Sequence, residues 1–351
     1  MRDPEIALAF VGFGNVGRRF AQLLIERQDV LRRQHDLETR IIGISTGRHG
    51  SAFVARGLDI GAMLQAYAAG RRLSNDTTES GGSAVELIAR LGASDAPVRV
   101  LVETTPLAIG DGQPAIAHIE TALEAGCDAV TANKGPVAFA YRRLREHARR
   151  TGSSFLFEGA VMDGVPIFNL VRETMPLIEV KGLRGVVNST TNHILSALED
   201  GEAFAPALER MQAEGIAEAD PSLDIDGWDA AAKAAALANV LMDADLTPRD
   251  VDRTGISAES AAQALRARQN GRRLRLVAAA SRTADGGVSA TVRPQELPDD
   301  DLLAQLRGKS NALILQTDLL GDIAITQLGG DVTMTAYALL SDLVTLRRRA
   351  G

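Results

Sequence analysis

Ile6-Ala7-Leu8-Ala9-Phe10-Val11-Gly12-Phe13-Gly14-Asn15-Val16-Gly17 is a short apolar run that passes directly into G-x-G-x-x-G. Residues 18–28 follow with helical spacing, carrying Phe20, Leu23 and Leu24 on one side. A glycine triplet alone says little, but between a strand and a helix each glycine has a job. Gly12 makes the tight turn, Gly14 lets backbone approach a pyrophosphate, and Gly17 brings helix and strand close. The helix start then offers free N–H groups and partial positive charge to phosphates. Gly12, Phe13, Gly14, Asn15, Val16 and Gly17 are therefore the candidate dinucleotide-binding turn.

Outward from this turn, strands and helices alternate. Strands are predicted over 40–45, 98–103, 129–131 and 154–157. Helices are predicted over 83–91, 115–124 and 137–149, the first with Ser83 and Glu86 at capping-box spacing and the last begun after Pro136. This rhythm implies a parallel sheet with right-handed crossovers. After about residue 165 it changes. Longer strands (180–187, 274–280) and a shorter one (288–292) enclose helices over 192–199, 205–214 and 229–242. Segments 312–319 and 323–328 flank Leu320-Gly321-Asp322 as a hairpin, and 333–346 forms a closing helix. The expected fold class is α/β, with an N-terminal Rossmann-type parallel sheet over 1–160 and an α+β catalytic domain over 161–309. Residues 310–351 are expected to pack back onto the first domain.

The 351 residues are 45% hydrophobic and 24% charged, ordinary values for a globular chain of about two domains. A net charge of −7 argues against a nucleic-acid partner, and the runs Arg71-Arg72, Arg272-Arg273 and Arg347-Arg348-Arg349 read as solvated helix ends. No apolar run approaches the roughly 18 residues of a membrane span, and no signal peptide is evident. A single cysteine, Cys127, cannot make an internal disulfide, which fits the cytoplasm; core packing explains it better than catalysis.

The second strand closes Ile44-Ser45-Thr46-Gly47-Arg48, without the acid that binds a ribose 2′-hydroxyl. Arg48 suits a 2′-phosphate instead, so NADP(H) is favoured with NAD(H) still open; the alternative for Arg48 is a solvated loop arginine. Thr104 and Thr105 end a strand where ligands of such sheets bind, and read equally well as turn residues before Pro106. Lys134, in Thr131-Ala132-Asn133-Lys134-Gly135-Pro136, stands at another such end. The richest segment is Gly215–Lys233, where five acids fall within twelve residues and lead into an alanine-rich helix. Asp229 and Lys233 are i and i+4, hence on one face. On so apolar a helix a lysine lies near a packed interface, where burial moves its pKa toward neutrality, as a proton shuttle requires. The acids do not match a calcium loop, because no glutamate closes it.

Together the 12–17 turn, Thr131–Lys134, Glu158–Pro166, Asn188-Ser189-Thr190-Thr191-Asn192 and Gly215–Lys233 resemble the homoserine dehydrogenase family over nearly the whole chain. The resemblance implies reversible NAD(P)-dependent interconversion of L-homoserine and L-aspartate 4-semialdehyde. It gives Lys233 the hydroxyl proton, Asp229 substrate binding and orientation of Lys233, Glu218 the substrate ammonium with Asp224 assisting, and Lys134 the part of a second catalytic lysine. It further implies a homodimer through the second domain and a structural sodium ion held by Glu158 and the carbonyls of Val161, Asp163 and Val165. Met162 and Asp163 stand where the family often has glycine or alanine, and Gly329-Gly330-Asp331 where it commonly has Gly-Ala-Gly; an acid near a pyrophosphate is unfavourable. The chain ends soon after the closing helix, so feedback through an appended amino-acid-binding domain is not expected. The alternatives are a related oxidoreductase acting on another small hydroxy or keto amino acid, and a non-catalytic Rossmann nucleotide sensor.

Overall fold

A computed structural model describes residues 5–74, 78–214, 217 and 220–350. Its contacts divide the chain into two units, Met1–Pro166 with Asp331–Gly351, and Ile167–Gly330.

The first unit runs β1 (Glu5–Val11), α1 (Asn15–Glu26), α2 (Gln28–His35), β2 (Glu38–Thr46), β3 (Gly50–Phe53), α3 (Ile60–Ala68), α4 (Ala84–Gly92), β4 (Val98–Glu103), α5 (Ala115–Glu124), β5 (Asp128–Thr131), α6 (Lys134–Thr151) and β6 (Phe155–Leu156), and ends with the closing helix Val332–Ala350. The sheet order is β3-β2-β1-β4-β5-β6, parallel except for β3, which returns antiparallel on β2 as a hairpin. The order reverses between β1 and β4, which is where such sheets bind ligands.

The side-chain period of two explains how β1 is packed on both faces. Ile6, Leu8 and Phe10 meet Phe20 and Leu24 of α1 and Leu339 and Leu343 of the closing helix, all nearly or wholly buried. Each such side chain contributes about 1.5–3 kcal/mol on burial. The opposite face carries Ala7 and Ala9. Small residues are needed there because α4 lies close: a Cβ on Gly43 would stand 2.3 Å from a Leu87 methyl.

The second unit runs α7 (Ile167–Thr174), β7 (Val180–Val186), α8 (Ser189–Glu199), α9 (Phe204–Ala213), α10 (Ser222–Ile225), α11 (Trp228–Leu241), β8 (Asp252–Arg253), α12 (Glu259–Gln269), β9 (Arg272–Arg282), β10 (Val288–Pro298), β11 (Asn311–Thr317) and β12 (Asp322–Gln327). Its sheet order is β12-β11-β7-β9-β10-β8, antiparallel apart from the β10–β8 pair. The expected hairpin turns at Gly321, which takes φ +67°, a conformation that suits glycine. α8, α11 and α12 contact the sheet. Seven alanines of α11 (230–232, 234–236 and 238) are at most 2% exposed, so the helix is packed all round rather than along one stripe. The charged pair Arg275–Glu199, at 2.6 Å, is wholly buried. Arg275 also donates to the Ala304 and Leu306 carbonyls at 2.6 and 2.9 Å. Among the described residues, no helix is long and apolar enough to cross a membrane.

The capping box read at Ser83 is present: the Glu86 N–H donates to Ser83 Oγ at 3.2 Å, and the Ser83 N–H to Glu86 Oε2 at 2.6 Å. Ser83→Ala is expected to cost about 1 kcal/mol, seen as a lower urea midpoint with an unchanged denaturant slope.

Candidate active site

In the first unit, β1 and β4 end so close together that only glycine fits between them. Gly12 takes φ +92°, and a Cβ there would lie 2.6 Å from the Thr104 carbonyl carbon and oxygen. The Thr104 hydroxyl donates to the Gly12 carbonyl at 2.9 Å, tying the two loops. Gly17 sits on this tie, where a Cβ would meet Thr104 Oγ1 at 2.9 Å and Gly12 O at 3.0 Å. Gly14 is the N-cap of α1, with no side chain closing the helix start and open space where a Cβ would project. That leaves the first-turn N–H groups available to an anion. Phe13 is buried, with its ring edge-on to Phe10 and Tyr67, so it can offer a ligand only backbone. Val16 packs against the core, and the Asn15 amide accepts from Arg18 at 2.7 Å.

Beside this turn opens a cleft of about 730 Å³, lined by Gly12, Gly14, Arg48, Thr104, Thr105 and His118 among others. Arg48 is exposed at its lip. Among the described lining residues there is no carboxylate. The residues therefore fit a dinucleotide: an uncapped helix start for the pyrophosphate, and a cationic lip.

Behind the cleft, bonded to its lining residue Thr105, lies a group that sequence reasoning passed over. Glu103, the last residue of β4, is fully buried. Burial pushes its carboxyl up to about 7, against the pull of hydrogen bonds from Thr105, Thr131 and Asn133. The Thr105 N–H reaches Oε1 at 2.9 Å, and the Thr105 hydroxyl also donates there. The Thr131 hydroxyl reaches Oε2 at 2.9 Å and accepts the Asn133 N–H at 3.0 Å. Asn133 in turn caps α6, accepting the Gly135 N–H at 2.9 Å. The helix thus begins at Lys134, three residues before the expected start, because an asparagine cap tolerates Pro136 in the first turn.

In the second unit the acid-rich segment folds against the end of β7. Lys233 Nζ donates to Asp229 Oδ2 at 2.8 Å and to the Val187 carbonyl at 2.6 Å. Both side chains are about 15% exposed (16% and 14%), so the ion pair lies in a partly buried setting rather than on an open surface. Asn188, buried at the start of α8, donates to Asp224 Oδ1 at 2.6 Å and Asp229 Oδ2 at 2.8 Å. Asp224 is held above the ordinary carboxylate range by burial and by the Asp229 charge; hydrogen bonds from Asn188 and Thr190 and the Lys233 charge pull it back. Nearby, the Arg253 guanidinium lies 3.9 Å over the Trp228 ring.

A crevice built for a dinucleotide and a lysine held by a carboxylate agree with what is known of similar proteins. The family model "Homoserine dehydrogenase, NAD binding domain" matches residues 12–158, and "Homoserine dehydrogenase" matches 166–344. The NAD(+)-dependent homoserine dehydrogenase of Pseudomonas canavaninivorans is 36% identical over 346 residues, 99% of this chain and 97% of that one. The chain belongs to the homoserine dehydrogenase family. Its homoserine dehydrogenase relatives include a solved structure from Thiobacillus denitrificans, with TM-score 0.82 and 28% identity over 98% of this chain and 73% of that one. A hyperthermophilic archaeal homoserine dehydrogenase in complex with NADPH gives TM-score 0.80 and 28% identity over 98% of both chains. Homoserine dehydrogenases are NAD(P)-dependent oxidoreductases acting on a CH–OH group.

Of the residues expected from the homoserine dehydrogenase resemblance, Asp224, Asp229 and Lys233 come together in one cluster, while Glu218 lies outside the described residues. Thr104 and Thr105 do line the cleft, with their hydroxyls spent on Gly12 and Glu103. Glu158 is buried, its N–H donating to Asp342 at 2.9 Å. Met162 and Asp163 both take positive φ, and Asp163 accepts the Thr335 hydroxyl at 3.0 Å. Among the described residues, no group of three or more His, Cys, Asp or Glu is placed to hold a metal ion. Cys127 is buried, its thiol pushed up to about 11, as a packing residue would be. Two buried polar groups of these clusters had been given no role: Glu103, and Asn188, which had counted only as part of the 188–192 resemblance. The signal for Asn188 was an asparagine immediately before a helix.

Glu103 makes the fold sensitive to pH in a definite direction. Between 4.5, its unfolded value, and about 7, the folded chain holds a proton that the unfolded chain has lost, so stability falls as pH rises through that window. The urea midpoint of wild type minus that of Glu103→Gln should therefore decline from about pH 4.5 to about 7 and then level off. A constant difference would show that the carboxyl is not held protonated.

Proposed function

We propose that the chain interconverts L-homoserine and L-aspartate 4-semialdehyde, with Lys233 as the acid–base group. The supporting observation is the position of Lys233 Nζ, held between the Asp229 carboxylate and the Val187 carbonyl on a helix built mostly of buried alanine. A nicotinamide, when bound, supplies the hydride acceptor for oxidation and the donor for reduction. In oxidation the Lys233 amine takes the hydroxyl proton as the C–O bond becomes C=O; in reduction it returns that proton to the new alkoxide. Asp229 orients Lys233 and binds substrate with Asp224, and Glu218 meets the substrate ammonium. Lys134 serves as a second lysine. It stands in the first turn of α6, where the helix dipole disfavours a cation, a position that makes sense beside anionic ligand groups.

NADP(H) is the favoured cofactor, because the described cleft lining carries Arg48 and no carboxylate. The turn containing Glu158, Val161, Asp163 and Val165 is the place for a sodium ion, since its two left-handed residues curl the backbone beside a buried glutamate. A homodimer through the second unit accords with Leu319, Leu320 and Leu328, which are 69%, 57% and 85% exposed around the edge strand β12. A buried, unreactive thiol accords with the cytoplasm.

Lys233→Ala should cut kcat by about 10²–10⁴-fold while NADPH binding, followed by fluorescence, stays near wild type; near-wild-type turnover would overturn the assignment. Arg48→Ala should weaken NADPH by about 10–100-fold and NADH little. Equal losses in titrations of both would remove Arg48 from the 2′-phosphate.

A further inference from the structure

Asn188 has no part in the chemistry described so far, yet it bridges the two carboxylates of the acid–lysine cluster. Its Oδ1 is fixed first: it accepts the Thr191 N–H at 2.8 Å and the Thr191 hydroxyl at 2.9 Å, as the N-cap of α8. With the oxygen committed, the amide nitrogen must face the other way, toward Asp224 Oδ1 at 2.6 Å and Asp229 Oδ2 at 2.8 Å. Two amide hydrogens thus serve two carboxylates. Asp229 Oδ2 is also the atom that takes Lys233 Nζ, and Lys233 Nζ is tethered in addition to the Val187 carbonyl next to Asn188.

Two carboxylates this close repel each other, and a single lysine leaves the trio one negative charge in excess. A neutral double donor lowers that repulsion without adding a cation that would compete with Lys233 for Asp229. We propose that Asn188 is a positioning residue of the reaction, a clamp that holds Asp224 and Asp229 ionised side by side and keeps Asp229 aimed at Lys233. The inference rests on Lys233 as the acid–base group.

Among the described residues, the charged and polar groups acting on Asp224 are Asp229 and Lys233 from α11, and Asn188 and Thr190 from the start of α8. Arg253 is occupied with the Trp228 ring and the Asp226 carbonyl. Of these, Asn188, Lys233 and Thr190 draw the Asp224 carboxyl down, and loss of Asn188 lets it rise. The substrate site needs that carboxylate ionised, and ionisation holds only above its pKa. The acid limb of activity therefore moves to higher pH when the clamp is removed.

The test separates clamp from cap. Asn188→Ser keeps an N-cap acceptor for α8 and lacks the double donor. Asn188→Asp also keeps the cap, and puts a third carboxylate where the donors were. Both are compared with wild type and Lys233→Ala for melting midpoint, NADPH affinity, and kcat and kcat/KM across pH. The expected result for Asn188→Ser is a fold and cofactor affinity near wild type, kcat lower by about 10–100-fold, and the acid limb of kcat/KM moved upward. Asn188→Asp should move that limb further. An unmoved acid limb in both variants, with or without a loss of rate, would reduce Asn188 to a helix cap and overturn the clamp. If instead Lys233→Ala turned over like wild type, it is the acid–base reading that would fail.

Discussion

The pinch between the ends of β1 and β4 is the constraint on which the first unit depends. Gly12 lies against the Thr104 backbone at a separation that no side chain allows, and Thr104 closes the gap with a hydroxyl to the Gly12 carbonyl. From that contact the crevice follows by short steps. Gly17 lets α1 settle on the pinch with its uncapped start toward the cleft. One residue back along β4, Glu103 gathers Thr105 and Thr131, and Thr131 hands the connection to Asn133 and so to the helix that begins with Lys134. A buried carboxyl is costly unless it is hydrogen-bonded or neutral. Glu103 is hydrogen-bonded, and burial shifts it toward the neutral form; what the unit gains is a fixed geometry across three adjacent strand ends.

The second unit solves a different problem. Its polar cluster of Asp224, Asp229, Lys233 and Asn188 is embedded beside a helix made largely of buried alanine. A lysine in such a place is expensive in the absence of a carboxylate partner, and a pair of carboxylates is expensive without donors. The unit meets both needs with one lysine, one asparagine amide and one main-chain carbonyl. The separate buried pair Arg275–Glu199 anchors the far end of α8, so that the helix capped by Asn188 is held at both ends.

Much of this was legible in the chain itself. The glycine turn, the capping box at Ser83 and the i,i+4 pair of Asp229 and Lys233 each carry a local mechanism, and each was found where its residues predicted. The regions that escaped are those decided by tertiary contacts. β3 is four residues long and exists because β2 offers it an edge. α3 and α12 have modest apolar periodicity, and their burial comes from what packs on them. Glu103 looked like the end of a strand, because nothing local shows that Thr131, in another strand, will turn toward it. Asn188 was readable in principle, but the apolar periodicity of α8 placed the helix start at Asn192 and hid the cap.

The packing of α11 sets a limit on how the helix that bears Lys233 can be varied. Alanine surrounded on every side leaves no volume for an added methylene, and overfilling such a core typically costs about 1–3 kcal/mol. Variation aimed at a bulkier or differently branched substrate therefore has little purchase on the helix that bears Lys233. If Lys233 serves the substrate, that variation must come instead from α10, where Leu223 is exposed, and from Trp228, the partly covered first residue of α11, so divergence in substrate choice should concentrate there while the alanines behind stay nearly invariant in size.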